Sequence, residues 1–309
     1  MKTHALAIHG GAGTLVKGMM TPELETKYRE DLKLALESAY NILKAGGSAV
    51  DAVEKAVIDL EDSPLFNAGK GSVFTATEAH EMDASIMDGK TLNAGAVTLI
   101  DSVKNPIRLA RDIMDNSEHV FLAGEGAMEF AKLRQHVMES PDYFYDEFRH
   151  EQWLEIKDSD TFQLDHSVKK DSKFGTVGAV ALDIEGNLAA ATSTGGMTNK
   201  RYGRIGDSPI IGSGTYANNK TCAVSCTGNG EFFIRAVAAY DLACLIEHRG
   251  WTLEKAANAV IHERIKKING EGGLIAVDRQ GHIAMPFNTE GMYRASIDAS
   301  GRQIIAIYK

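Results

Sequence analysis

Midway along the chain its character changes within one residue. Residues 136–175 are polar, dense in charge and without sustained periodicity, whereas Thr176 opens the apolar run Thr-Val-Gly-Ala-Val-Ala-Leu-Asp. A segment of the first kind adds little to a core and reads as a linker or exposed flap. Apolar strands and helices stand on both sides of it, so any folded unit has to be assembled across this boundary. The 309 residues, 44% of them hydrophobic, are enough for one large domain or two smaller ones.

On the N-terminal side, residues 4–8 read as a buried strand that runs into a glycine turn, His9 to Gly13. Helical spacing follows from Pro22 to Lys44, with Leu32, Leu36, Tyr40 and Leu43 on one face and Gly46-Gly47 as the stop. Ser48 then caps a second helix reaching Leu60. Between Met82 and Ile100 short apolar stretches flank Asp88-Gly89, a hairpin signal, and a helix is expected over Ile107–Met114 behind Pro106. After Thr176 come a hairpin turning at Glu185-Gly186-Asn187, a strand over Cys222–Cys226, and helices over Glu231–His248 and Leu253–Ile268. Strands at 273–278 and 282–287 turn at Arg279-Gln280-Gly281, and 303–308 closes the chain. Strands grouped into hairpins, with helices grouped between them, point to an α+β fold of antiparallel sheets covered by helices.

Several function classes fall away on composition. The formal net charge is −9 and the basic residues are scattered, so neither nucleic acid nor an anionic membrane is an expected partner. No apolar run is long enough to span a bilayer, and the opening residues lack a secretory core with a cleavage site. Three cysteines are too few to staple such a chain, and a reducing cytoplasm is the expected compartment. Cys222 and Cys226 have no second Cys or His pair close by in sequence and read as buried strand residues, not zinc ligands. The glycines of 9–13 follow a strand but lack a phosphate-loop pattern.

The chemistry concentrates at the boundary. A cut between Gly175 and Thr176 would place an α-amino group beside the threonine hydroxyl. Such an amine titrates at about 7.7–8.0, close to working pH, and suits a general base for a hydroxyl nucleophile. Gly-Thr at a strand entrance is also an ordinary structural feature, and these residues alone leave both readings open.

The wider pattern decides between them. The run 175–183 resembles the maturation site of plant-type asparaginases and isoaspartyl peptidases, which are N-terminal-nucleophile (Ntn) hydrolases. The resemblance extends through HGGAG at 9–13, PLFNAGKGSVFT at 64–75, MDASIMDG at 82–89 and STGGMTNK at 193–200, then RIGDSPIIGSGTYA at 204–217, SCTGNGE at 225–231 and FNTEGMYR at 287–294. It covers nearly the whole chain apart from the linker.

That resemblance implies a single four-layer αββα domain over 1–309, cut into 1–175 and 176–309, with the pieces assembling as an (αβ)₂ homodimer. It implies Thr176 as nucleophile, Thr194 orienting it, and Thr227 with the N–H of Gly228 as oxyanion hole. Arg204 would take a substrate α-carboxylate, and Asp207 with the carbonyl of Gly230 would take the α-ammonium, pairings that suit a guanidinium fork and a carboxylate. Gly11 would lie near the nucleophile and Asn67 near the scissile segment. His9 would be a satisfied structural histidine. No cofactor is implied for catalysis. A structural sodium ion is implied on main-chain oxygens of Leu60, Glu61, Ser63, Phe66, Ala68 and Lys70, ligands that suit a hard monovalent ion. The implied substrates are L-asparagine and β-aspartyl dipeptides. A glycosylasparaginase-like enzyme is the nearest alternative, against which stands Gly175 where that type usually has Asp; an uncleaved binding protein of the same fold is the other.

Overall fold

The computed structural model describes residues 3–158 and 175–309. The N-terminal part contributes β1 (Ala5–Gly13), α1 (Pro22–Lys44), α2 (Ala49–Glu61), β2 (Met82–Asp88), β3 (Ala94–Ile100), α3 (Pro106–Asn116), β4 (Phe121–Ala123), α4 (Gly124–Leu133), α5 (Pro141–Phe144) and α6 (Glu147–Ile156). The helices start where the sequence places their caps. Thr21 accepts from the Leu24 amide at 3.3 Å with Pro22 in the first turn, and Ser48 accepts from the Asp51 amide at 3.1 Å. The stripe Tyr28, Leu32, Leu36, Ala39 and Leu43 of α1 is buried.

The expected glycine turn at 9–13 is instead strand. β1 continues to Gly13, pairing with β5 and β11, and its register shifts between His9 and Gly11. The bulge absorbs Gly10, where a Cβ would come within 2.5 Å of the Phe66 ring, so the glycines here serve close approach more than chain reversal. The linker reading of 136–175 also needs correction over its first part. Asp146 caps α6 through the Arg149 amide at 3.0 Å, and Phe144, Trp153 and Ile156 are buried. In α6 Arg149 lies inside and Leu154 is exposed, which hides the amphipathic spacing from a reading of the sequence. Residues 159–174, the rest of that stretch, lie outside the described residues.

The C-terminal part supplies β5 (Val177–Leu182), β6 (Leu188–Thr194), β7 (Thr215–Ala217), β8 (Cys222–Gly228), α7 (Gly230–Ala236), α8 (Ala238–Arg249), α9 (Leu253–Ala259), β9 (Gly272–Asp278), β10 (Ile283–Ala284), β11 (Gly291–Ile297) and β12 (Gln303–Tyr308). The helix expected over Glu231–His248 is broken at Val237, which takes a left-handed conformation (φ 48°). The strand expected over 282–287 shrinks to β10; beyond it Pro286 has no N–H to give a ladder and only its carbonyl bonds, to the Leu274 amide at 3.0 Å.

Among the described residues the strands form two sheets, one ordered β12-β11-β1-β5-β6-β2-β3-β4 and one ordered β10-β9-β8-β7. Neighbours are antiparallel except β3 and β4. Strands from the two sides of the Gly175–Thr176 boundary alternate: β1 lies between β11 and β5, and β6 pairs with β2. The two parts therefore share one core. Leu6, Ile8, Ile86 and Val97 of the larger sheet cluster with α1, α2 and α3, while Val224, Cys226 and Leu274 of the smaller sheet cluster with α7–α9. A third cluster, including Ala5, Ala7, Val180, Ala190, Ala223 and Ile275, joins the two sheets directly. No helix among the described residues is long and apolar enough to cross a membrane.

Candidate active site

Thr176 stands just before β5, half-buried, where the ladder with β6 begins at Val177 opposite Ser193. One residue further along β6, Thr194 reaches it: the two hydroxyl oxygens are 3.2 Å apart, with the Thr176 hydroxyl donating. Thr194 in turn accepts from the Gly196 amide at 3.0 Å. Gly175 is packed against Asn67, and a Cβ there would lie 2.5 Å from the Asn67 nitrogen. Asn67 donates from its side chain to the Gly196 carbonyl at 2.7 Å, accepts from Val73 at 3.1 Å, and its main-chain carbonyl accepts from Gly195 at 3.0 Å. The 64–75 segment is thereby tied to the turn behind Thr194.

Thr227 is the penultimate residue of β8, on the other sheet. Its buried hydroxyl oxygen accepts from the Ala12 amide at 3.3 Å, across the sheet interface and next to Gly11 (φ 110°). A threonine hydroxyl carries one proton and can still donate it elsewhere. Gly228 follows with φ 138°, and a Cβ there would stand 2.5 Å from the Gly272 Cα, so the amide is carried by a residue that only glycine can supply.

Arg204, Asp207 and Gly230 converge. A Cβ on Gly230 would lie 3.0 Å from Arg204 Nη2 and 3.0 Å from both the amide and Oδ1 of Asp207. Asp207 is buried, and among the described residues its Oδ2 has no hydrogen-bond partner. Burial pushes its carboxyl up to about 6, although Arg204 pulls the other way. Arg204 donates Nε and Nη2 to Glu231 at 2.9 and 2.8 Å, a two-pronged pair on one edge of the guanidinium. The sequence reading missed Glu231; its signal was its place directly after Gly230, at the start of a helix.

His9 is fully buried and held at both ring nitrogens, Nδ1 at 3.0 Å from the Thr176 carbonyl and Nε2 at 2.9 Å from Ser225 Oγ. Burial pushes its pKa down to about 3, outweighing the carbonyl bond, so the ring stays neutral.

The expected cation loop runs from the end of α2 to a tight turn at Gly69–Gly71. A Cβ at Gly69 would stand 2.6 Å from the Glu61 carbonyl oxygen, and one at Gly71 would meet the carbonyls of Phe66 and Pro64. Both glycines are thus packed tightly against main-chain carbonyls of the loop. Among the described residues no cluster of three His, Cys, Asp or Glu side chains is arranged to hold a metal. Glu61 also accepts, through Oε1, from Ser193 Oγ at 2.6 Å, which ties this loop to the residue before Thr194.

The mixed α/β fold, its two sheets antiparallel apart from β3 and β4, is of the Ntn-hydrolase class to which the matching family belongs. The asparaginase family model matches residues 2–307, and the chain belongs to that family. The isoaspartyl peptidase of Escherichia coli (strain K12) is 51% identical over 307 residues, 98% of this chain and 96% of that protein. The isoaspartyl peptidase of Salmonella typhimurium is 50% identical over 312 residues and 100% of both chains. A probable isoaspartyl peptidase/L-asparaginase 2 of Arabidopsis thaliana is 38% identical over 330 residues, 99% of each.

Proposed function

We propose that the chain is an autoprocessing amidohydrolase that converts L-asparagine to aspartate and ammonia, and β-aspartyl dipeptides to aspartate and an amino acid. The observation that carries this is the 3.2 Å contact between the hydroxyls of Thr176 and Thr194, directly behind a glycine wedged on Asn67. In maturation the Thr176 hydroxyl attacks the Gly175 carbonyl, the acyl group passes to oxygen, and water cleaves the ester. The products are a carboxylate on Gly175 and a free amine on Thr176.

In turnover that amine takes the proton of its own hydroxyl as Oγ1 attacks the side-chain amide carbon of the substrate. The developing oxyanion accepts hydrogen bonds from the Thr227 hydroxyl and the Gly228 amide. Losing one such donor costs about 2.7–4 kcal/mol in barrier height. The proton returns to the leaving amine, and water then releases aspartate from the acyl-enzyme. Arg204 takes the α-carboxylate on the guanidinium edge that Glu231 leaves open, and Oδ2 of Asp207, which has no partner among the described residues, takes the α-ammonium with the Gly230 carbonyl. Both substrates present the same aspartyl group to this clamp, so one site serves both.

The same reading includes further elements. The two sheets joined by their own cluster, each backed by helices, support a four-layer αββα arrangement. Pairing of β1 with β5 and of β2 with β6 supports fragments 1–175 and 176–309 that stay associated after the cut. Main-chain oxygens of Leu60, Glu61, Ser63, Phe66, Ala68 and Lys70 would hold a structural sodium ion. The assembly would be an (αβ)₂ homodimer in the cytoplasm. Intact-mass measurement of purified protein, with an assay of L-asparagine against β-aspartyl dipeptides, tests the function: two fragments, the smaller beginning Thr-Val-Gly-Ala-Val, and hydrolysis of both substrates are expected. A single uncut chain with full activity would refute it.

A further inference from the structure

The interface between the two sheets carries a line of polar groups that the proposed chemistry does not use. His9 on β1 meets Ser225 on β8 at 2.9 Å, and Ser225 meets Thr192 on β6 at 2.7 Å. Thr192 meets Thr215 on β7 at 2.6 Å, and Thr215 meets Ser85 on β2 at 2.8 Å. Ser85 ends the line on the carbonyl of Ser208 at 2.7 Å, the residue after Asp207. Members come alternately from the larger and the smaller sheet, and the side chains of all five, His9, Ser225, Thr192, Thr215 and Ser85, are fully buried.

As far as Thr215, the direction of each bond follows from the His9 end. A carbonyl oxygen only accepts, so the His9 nitrogen facing Thr176, Nδ1, must carry the proton. The neutral ring then has a bare Nε2, which makes Ser225 the donor to it. With its one proton committed, Ser225 can only accept from Thr192, and Thr192 from Thr215. Ser85 has a single proton for two contacts, Thr215 and the Ser208 carbonyl, so the directed part of the line ends at Thr215. The protons of Thr215, Thr192, Ser225 and His9 all point toward Thr176.

We propose that His9 is a positioning residue for Thr176, fixed in its Nδ1–H tautomer by the Thr176 carbonyl on one side and by the directed hydroxyls of Ser225, Thr192 and Thr215 on the other. The claim rests on the amidohydrolase reading above and deepens it. Once the bond to Gly175 is cut, Thr176 loses its covalent tether on one side. Its carbonyl bond to His9 and its contact with Thr194 then remain to hold it ahead of the β5 ladder. Because the line crosses repeatedly between sheets, it also sets the larger sheet, which bears Thr176 and Thr194, against the smaller one, which bears Thr227 and Gly228. Its far end reaches the Asp207-Ser208 turn, so the nucleophile, the oxyanion donors and the ammonium site share one frame.

Two substitutions separate positioning from filling space. Asparagine puts an amide N–H where histidine has Nδ1, and glutamine puts one where it has Nε2. His9→Gln, closer in size to histidine, should lower kcat by about 10²-fold with KM within about threefold, the scale of an ångström-sized misplacement. His9→Asn should retain at least about tenfold more kcat than His9→Gln, since it keeps the bond to the Thr176 carbonyl. A merely structural role gives the reverse order, and glutamine equal to or better than asparagine overturns the proposal. A second measurement does not depend on the variants folding well. Nitrogen NMR of the histidine rings should find His9 as the Nδ1–H tautomer, and an Nε2–H ring overturns the claim. Read in Thr176→Ala, which keeps the carbonyl but not the hydroxyl, the tautomer decides the positioning claim even if an inactive wild type has refuted the functional reading.

Discussion

The two faces of the larger sheet are made of different residues. Toward α1, α2 and α3 the strands present Leu6, Ile8, Ile86, Val97 and Val177, and the helices answer with Leu32, Leu36, Val53 and Val57. Toward the smaller sheet the same strands present Ala5, Ala7, His9, Ser85, Gly178 and Thr192. A Cβ on Gly178 would reach His9 Nε2 at 2.5 Å, so this face is kept small to let the two sheets close on each other. Around the site, period-two alternation thus turns aliphatic residues toward the helices and small or hydroxyl-bearing ones toward the smaller sheet, while Met87, Val180, Leu182, Leu188 and Met292 fill the inter-sheet space elsewhere. The difference teaches that stability and chemistry are segregated across a single sheet, and a substitution's face should decide which of the two it damages.

The harshest test of that segregation is Thr176→Ala. It removes only a hydroxyl and a methyl group from a half-buried residue, so the thermal midpoint should move by no more than a few degrees. Activity should fall to background and the chain should remain one piece by intact mass. A cut, active Thr176→Ala protein would end the nucleophile assignment.

The outer face should behave in the opposite way. Leu36→Ala in α1 opens a cavity in a fully buried position and should cost about 2–5 kcal/mol in chemical denaturation. Active-site titration should find kcat and KM per folded molecule unchanged. A Leu36→Ala protein that is stable but catalytically impaired would show the two faces to be coupled.

Much of the outer face was legible in the sequence, because helices declare themselves locally. Pro22 and Gly46 bracket α1, Ser48 opens α2, and Leu32 and Leu36 recur at helical spacing. The inner face was legible only as motifs. His9 was read as a satisfied structural residue, but its partners are 167 and 216 positions away in sequence, and no local pattern announces such a pairing. The glycines at 10 and 11 looked like a turn because a bulge needed for close packing draws on the same residue type. Val237 broke an expected helix by adopting a left-handed conformation that a valine does not advertise. Thr194, Asn67 and Arg204 could be placed by resemblance, whereas Glu231, the partner of Arg204, is not in the implied set and emerged only from the geometry.

Arg204→Ala sharpens the comparison from the side of the site. The substrate carboxylate would lose its charged partner in a partly desolvated position, and KM should rise about 10²-fold for every aspartyl substrate. Self-cleavage should proceed normally, since the Gly175–Thr176 bond makes no use of the clamp. Unchanged KM, measured by initial rates on L-asparagine, would remove Arg204 from the binding role.

The smallest effect is expected at Glu231, and its sign is informative. Glu231 is nearly half exposed, with its side chain at 48%, so its pair with Arg204 is screened and Glu231→Gln should raise KM only about threefold through looser aiming of the guanidinium. Its charge also acts on Asp207. That carboxyl is raised from 3.8 to about 6, chiefly by burial, with the Glu231 charge adding to the rise and Arg204 opposing it. A carboxyl whose pKa is raised on folding binds more protons in the folded state, so its contribution to stability is lost as pH climbs from about 3.8 to about 6. Substrate binding runs the other way, because only the ionised form pairs with an ammonium. For the wild type kcat/KM should therefore fall first as the Thr176 amine protonates at about 7.7–8.0 and then along a second, steeper acidic limb as pH drops through about 6, the value of Asp207 in the free enzyme. Removing the Glu231 charge makes ionisation of Asp207 easier, and in Glu231→Gln that acidic limb should move to lower pH while the plateau KM rises. Profiles of kcat/KM against pH for L-asparagine in the two proteins make the comparison directly. A limb that stays in place, or moves to higher pH, would mean that Asp207 is not the group whose ionisation governs binding.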